Sequence, residues 1–217
     1  MRIMGIHLAE MRRCGWYQRE DFVGEDGVRW DKISEAPMST EFAISRFLTP
    51  FLAGWHDGWS VFLDCDFLSM TDVNRMWDLL NPRYAVMCVQ PDYQHKSSTK
   101  MDGKPQTMYP RKLWSSLMAF NMSHPANRAL TLEAINTLPG RDLHRFCWLP
   151  DDLVGALPAE WNWMEGITDP QVSPAMVHYT HGGPWLSTHQ DVAFAEEWRR
   201  ERDMWVAGDV YDWRMAG

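Results

Sequence analysis

The stretch Trp59-Ser60-Val61-Phe62-Leu63-Asp64-Cys65-Asp66 is an apolar run that stops abruptly on two carboxylates. Its continuous apolar character up to Asp64, without alternation, predicts a strand over Ser60 to Asp66 buried on both faces, as at the centre of a mostly parallel sheet. In an extended chain Asp64 and Asp66 project to one side, about 6.5 to 7 Å apart along the strand, while Cys65 points the other way. Two carboxylates on one face can share a hard cation. Such an oxygen site suits Mg²⁺ or Mn²⁺, which keep positions open for substrate phosphates. The tripeptide alone reads more readily as structural, Asp64 closing the strand and Asp66 facing solvent.

Downstream, Thr71 to Leu80 places Val73, Met76, Trp77 and Leu80 on one side of a helix, and Tyr84 to Val89 returns as a second strand. A strand, helix, strand unit predicts an α/β sandwich with its functional groups at the carboxyl ends of the strands. Upstream, Ser39 to Leu48 reads as a helix ending near Pro50, followed by a turn from Gly54 to Gly58. The first ~35 residues offer a helix over Leu8 to Tyr17 and a polar, glycine-containing stretch from Val23 to Val28, with no strand before Tyr17. The polar connection from Gln90 to Arg111 is too long for a routine turn and reads as a functional or mobile loop. Beyond it come a strand over Leu113 to Asn121, a helix over Pro125 to Asn136, a short strand over Met176 to Tyr179 and a charged amphipathic helix spanning 191–204.

A chain of 217 residues with 45% apolar content can bury one substantial core, so residues 1–217 are expected to form a single domain. No run approaches the ~20 apolar residues that span a bilayer, and Met1 to His7 lack the apolar centre of a signal peptide, which makes a cytoplasmic protein the expectation. Cys14, Cys65, Cys88 and Cys147 form no CxxC pair and sit mostly in apolar surroundings, which predicts reduced, buried thiols. The net charge of -8 counts against a broad nucleic-acid footprint and favours a divalent cation as partner, although Lys96, Lys100, Lys104, Arg111 and Lys112 could line a local basic groove. Thirteen tryptophans include five beside turn residues, Trp55, Trp59, Trp161, Trp163 and Trp185. Their faces can stack on sugar rings, or simply fill core volume.

A second candidate element is Val177-His178-Tyr179-Thr180-His181-Gly182-Gly183-Pro184-Trp185. His178 lies on the expected strand, where its imidazole can complete the coordination of a cation. Gly182 and Gly183 would let backbone N–H groups approach a diphosphate closely. A buried structural histidine before an ordinary Gly-Gly-Pro turn is the alternative.

Taken in order, these elements resemble the GT-A fold glycosyltransferases related to glycogenin and the bacterial lipooligosaccharide galactosyltransferases, over residues 39–185. The match comprises Asp64-Cys65-Asp66 as the D-x-D, and His178 with Pro184-Trp185 as the late H-x-x-G-x-x-K-P-W. It extends to Ser115 through Asn121 as a small-residue strand ending in asparagine, to Asp151-Asp152 followed by Leu157 to Trp163, and to Ser45-Arg46-Phe47 as the arginine-bearing helix. The resemblance implies a Rossmann-like GT-A architecture. It implies Mn²⁺ or Mg²⁺ held by Asp64, Asp66 and His178 against the diphosphate of a nucleotide-sugar, a UDP-sugar by analogy, with Ser115, Ser116, Gly182 and Gly183 lining the donor. Arg46 would lie near the D-x-D and donor sugar, and Asn121 and Asp151 or Asp152 would hydrogen-bond sugar hydroxyls. The implied reaction is hexosyl transfer to an acceptor hydroxyl with retention, the acceptor remaining open, a modified nucleobase included. This sequence departs from the pattern at Gly183, where the family carries lysine, in a late motif one residue shorter, and in lacking an initial base-binding strand. Two aspartates and a cation also serve nucleotidyl transfer or phosphoester hydrolysis, and a non-catalytic nucleotide-sugar-binding remnant is a third class.

Overall fold

The computed structural model describes residues 2–91, 111 and 113–208. Lys96, Lys100, Lys104, Lys112 and nearly all of the Gln90 to Arg111 connection lie outside the described residues. The chain divides into two compact units, one formed by Met1–Asp64 and Asn74–Pro158, the other by Cys65–Val73 and Ala159–Gly217. Elements are numbered along the whole chain.

The first unit opens with helix α1 (Leu8–Arg13) and continues into an antiparallel ribbon of β1 (Asp21–Val23), β2 (Arg29–Asp31) and β3 (Ala36–Pro37). This ribbon replaces the irregular polar stretch expected there. Its turn is built by Asp26, whose carboxylate accepts the Val28 N–H at 3.0 Å, and by Gly27 at φ 75°, a conformation that disfavours a side chain. The helix expected over Ser39 to Leu48 is shorter and later. A 3-10 turn, Ser45–Leu48, leads into α2 (Thr49–Leu52), and Pro50 sits in the first helical turn, where its missing N–H costs nothing.

The main sheet contains β4 (Trp59–Leu63), β6 (Val86–Val89), β7 (Leu117–Asn121) and β8 (Val154–Leu157), in the order β4-β7-β6-β8. The α/β class is as expected, and the strand expected over Ser60 to Asp66 is present but ends at Leu63, before the two aspartates. The pairing differs: β7 inserts between β4 and β6 and runs antiparallel to both, so only β6 and β8 pair in parallel. β4, β6 and β8 therefore point the same way while the ladder is mixed. β4 is also an edge strand, with no further strand paired to its outer side among the described residues, and its residues are half-buried with Leu63 exposed. Full burial belongs instead to β6 and β7.

The expected helix at 71–80 is a 3-10 segment, Val73–Leu79, and that at 125–136 breaks into a 3-10 turn, Pro125–Ala129, and α3 (Leu132–Thr137). Then α4 (Gly140–His144) packs into a core formed with Phe47, Leu48, Met118, Phe120, Ile135 and Phe146. The second unit pairs β5 (Phe67–Ser69) antiparallel with β9 (Met176–His178) and ends in α5 (Ala195–Ala207). Its small core holds Leu68, Trp163, Val177 and Tyr179.

Among the described residues no helix is long and apolar enough to cross a membrane. Cys14, Cys65 and Cys147 are exposed, against the expectation of burial. Cys88 alone is enclosed, and burial pushes its thiol up.

Candidate functional site

β4 delivers Asp64 by extending its ladder one step past Leu63, the Asp64 N–H donating to the Ser116 carbonyl at 3.0 Å. Its carboxylate accepts from Arg46 Nη1 at 3.0 Å. The same Nη1 donates to the Ser115 carbonyl at 2.9 Å, Nε donates to the Ala43 carbonyl at 2.8 Å, and the guanidinium lies 5.1 Å from the Phe62 ring centroid. Arg46 is thus buried and fixed on several sides, as a planar, multi-donor head allows. Behind it, Ser115 Oγ shares a 2.7 Å hydrogen bond with His144 Nδ1. Burial and the nearby positive Arg46 push the His144 imidazole down to about 3, so the ring is neutral near pH 7.

Asp66 is held by a different set of contacts. The Phe67↔His178 pairing of β5 with β9 continues outward as the Tyr179 N–H donating to the Asp66 carbonyl at 3.0 Å, which sets Asp66 beside the end of β9. His178 Nε2 lies 3.4 Å from Asp66 Oδ1. Phe67 stacks on the imidazole at 4.3 Å with planes 9° apart, and Asn162 Oδ1 lies 2.9 Å from Nδ1. The histidine is 4% exposed and the Asp66 side chain is 30% exposed, but Oδ1, the Asp66 atom nearest the imidazole, is itself buried.

Two ligands of one small divalent cation, each about 2.1 Å from it, stand about 3.0–3.4 Å apart. The Nε2 to Oδ1 separation fits that spacing. Asp66 and His178, both of the second unit, thus offer two donor atoms that could hold a metal ion. Asp64 precedes Asp66 by two residues in the sequence.

The other expected site residues occupy diverse places. Asn121 spends its amide on the fold: Nδ2 donates to the Pro82 and Tyr84 carbonyls at 3.1 Å each, and Oδ1 accepts from the Ser123 N–H. Ser116 Oγ donates to the Leu113 carbonyl at 3.2 Å. Asp151 and Asp152 lie exposed on the 3-10 turn Asp151–Leu153, and Asp151 pairs with Arg111. The Gly182 N–H donates to the Tyr179 carbonyl, and at φ 121° this residue turns the chain out of β9. At Gly183 a Cβ would come within 2.1 Å of the Trp185 ring. The glycine standing in place of the family's lysine is therefore fitted to Trp185. Of the loop tryptophans, Trp161 and Trp163 are core residues, Trp55 and Trp59 are half-buried, and Trp185 is exposed.

Two residues that matter locally, Asn162 and His144, were not singled out from the sequence. Asn162 stood inside the quoted Leu157 to Trp163 segment, but nothing in its neighbours signalled contact with a histidine 16 residues away.

No family model matches the chain. It is 49% identical over 182 residues to Protein CDI of Arabidopsis thaliana, an overlap covering 82% of this chain and 70% of that protein. The chain belongs to the Protein CDI family. Among solved structures, one described as the apo form of the bifunctional glycosyltransferase WbbM is similar at a TM-score of 0.48 and 17% identity, over 76% of this chain and 38% of that one. The CDI name describes no chemistry, so the activity of this member is argued from its side chains.

Proposed function

We propose that this CDI-family chain is a metal-dependent glycosyltransferase that moves a hexose from a nucleotide-sugar, a UDP-sugar in the first instance, to an acceptor hydroxyl with retention of configuration. The observation that carries the reading is the Asp66 and His178 pair, set 3.4 Å apart at the ligand spacing of a small divalent cation, with Asp64 two residues upstream. The order of the surrounding motifs supports it independently.

In this reading Asp64, Asp66 and His178 hold Mn²⁺ or Mg²⁺, and the bound cation supplies positive charge to a departing diphosphate. Arg46 holds the Asp64 carboxylate in place through its 3.0 Å bond. His178 is the buried ligand, and the half-buried Asp66 is the one nearer the phosphate oxygens. Exposed Asp151 and Asp152 remain the carboxylates offered to sugar or acceptor hydroxyls.

Calorimetry with Mn²⁺ and a panel of nucleotide sugars tests the proposal, coupled to product analysis. Metal-dependent donor binding and release of a nucleoside diphosphate are expected. Pyrophosphate as product would redirect the reading to nucleotidyl transfer, and absence of heat with every donor would end it.

A further inference from the structure

We propose that Asn162 is a positioning residue for His178, selecting the imidazole tautomer whose Nε2 can bind a cation. The proposal rests on the reading of Asp66 and His178 as metal ligands.

The backbone first brings the two side chains together. Asn162 ends the 3-10 turn Ala159–Asn162, and the next residue is threaded into the second unit's sheet: the Trp163 N–H donates to the Met176 carbonyl at 3.0 Å and the His178 N–H to the Trp163 carbonyl at 2.8 Å. Asn162 is thereby fixed in register with β9, and its side chain is buried, 1% exposed.

The chemistry of the contact then decides the proton. An amide oxygen only accepts, so Oδ1 at 2.9 Å from Nδ1 requires the proton on Nδ1. A neutral imidazole has one such proton, which leaves a lone pair on Nε2. That lone pair faces Asp66 Oδ1, another acceptor, at 3.4 Å. Two acceptors opposed on a dry histidine face are poorly matched to each other and well matched to a cation between them. Phe67, stacked on the ring, holds the imidazole plane for it.

A histidine kept only for packing would be served better by the reverse arrangement. Nε2–H would donate to Asp66, and Asn162 would turn its Nδ2 to Nδ1, satisfying both. Instead Nδ2 is buried and has no hydrogen-bond partner among the described residues. A buried amide that forgoes its own donors to direct its oxygen at a ring nitrogen is oriented by that ring. Outer partners of this type fix ligand tautomer and orientation in metal sites generally.

The decisive measurement is long-range ¹⁵N–¹H correlation on the metal-free full chain, with His178 assigned from the signal lost in His178→Gln. The Nδ1–H tautomer is expected; an Nε2–H tautomer or an imidazolium would overturn the proposal. Mn²⁺ titration calorimetry supplies the second arm. Asn162→Leu is expected to weaken Mn²⁺ binding about 10- to 100-fold, and Asn162→Asp, which keeps an acceptor at Nδ1, to restore it to within a few-fold of the parent. Unchanged affinity in a folded Asn162→Leu protein would also overturn the proposal. If Asn162→Leu fails to fold, the tautomer of the unaltered chain still decides. Failure of the parent chain to bind Mn²⁺ would instead remove the metal-ligand reading, an outcome separate from the tautomer result.

Discussion

Arg46 shows how much one side chain can do at the end of a strand: one guanidinium joins the Ala43 and Ser115 carbonyls to the Asp64 carboxylate. A lysine offers a single nitrogen head and cannot reach all three. Arg46→Lys is expected to cost about 1.5–3 kcal/mol of stability, the range for a hydrogen bond to a charged group, measured by urea unfolding. His144 yields a pH prediction with a defined sign. Its folded value is lowered to about 3 from an ordinary 6.5, so the unfolded chain takes up a proton that the folded chain refuses. The stability contributed is complete above about pH 6.5 and is lost as pH falls toward about 3, with a slope on the order of 1 kcal/mol per pH unit. Replacing it, as in His144→Gln, should flatten the unfolding free energy between pH 6 and 4 relative to the parent chain; parallel curves would refute the assignment. Arg46 was legible as a candidate only through the resemblance of Ser45-Arg46-Phe47 to an arginine-bearing helix ahead of a D-x-D. The use of Asn121 was not, because its acceptors at Pro82 and Tyr84 come from a chain reversal that no local pattern records.

At the scale of elements, the sequence reported strand positions better than strand neighbours. Apolar runs located β4, β6, β7 and β9, but a run of four to six residues says nothing of which strand lies beside it, so the insertion of β7 between β4 and β6 was hidden. β8 went unread because Val154-Gly155-Ala156-Leu157 is short and carries a glycine, usually a weakness in a strand. The structure explains that glycine. A Cβ on Gly155 would stand 2.5 Å from the Tyr84 ring and 2.9 Å from Met87 Cγ. Gly155→Ala should therefore destabilise by about 1–3 kcal/mol through overpacking; urea unfolding reads this, and an unchanged midpoint would mean that Tyr84 swings aside freely. The β1–β3 ribbon is tied down by a buried ion pair. Arg19 Nε donates to Asp31 Oδ1 at 3.0 Å, and Nη1 donates to the Ile135 and Leu138 carbonyls at 2.8 Å each. Burial alone would raise the Asp31 carboxyl, but hydrogen bonds from Arg19 and Ser34 outweigh it and hold the group below the usual carboxylate range. Arg19→Met strands that charge and should cost about 3–5 kcal/mol, whereas the double replacement with Asp31→Leu should recover much of the loss. A double-mutant cycle by chemical denaturation gives the coupling, and simple additivity would show the pair to be independent.

Across the whole molecule, the sequence carried the candidate donors further than it carried the fold that presents them. His178 lies more than a hundred residues beyond Asp64 and Asp66, and only their chemical types and order made the three a candidate set. What the sequence left out is how Asp66 meets His178, because that depends on the two-stranded pairing of Phe67 with His178 across the same interval. This arrangement sets up a test that spans the full chain. A cation bound by the folded chain and not by the unfolded one stabilises by mass action, by about 2.7 kcal/mol at a hundred times its dissociation constant. Thermal unfolding should therefore shift upward as Mn²⁺ is added and return on chelation. Asp66→Ala should abolish that shift while leaving the metal-free midpoint nearly unchanged, because the exposed side of this carboxylate contributes little packing. A UDP-sugar should add a further upward shift only when Mn²⁺ is present, since its diphosphate reaches the chain through the cation. A metal-free midpoint that collapses in Asp66→Ala, with the Mn²⁺ shift intact, would instead make this carboxylate a structural element of the β5–β9 pairing and remove it from the ligand set.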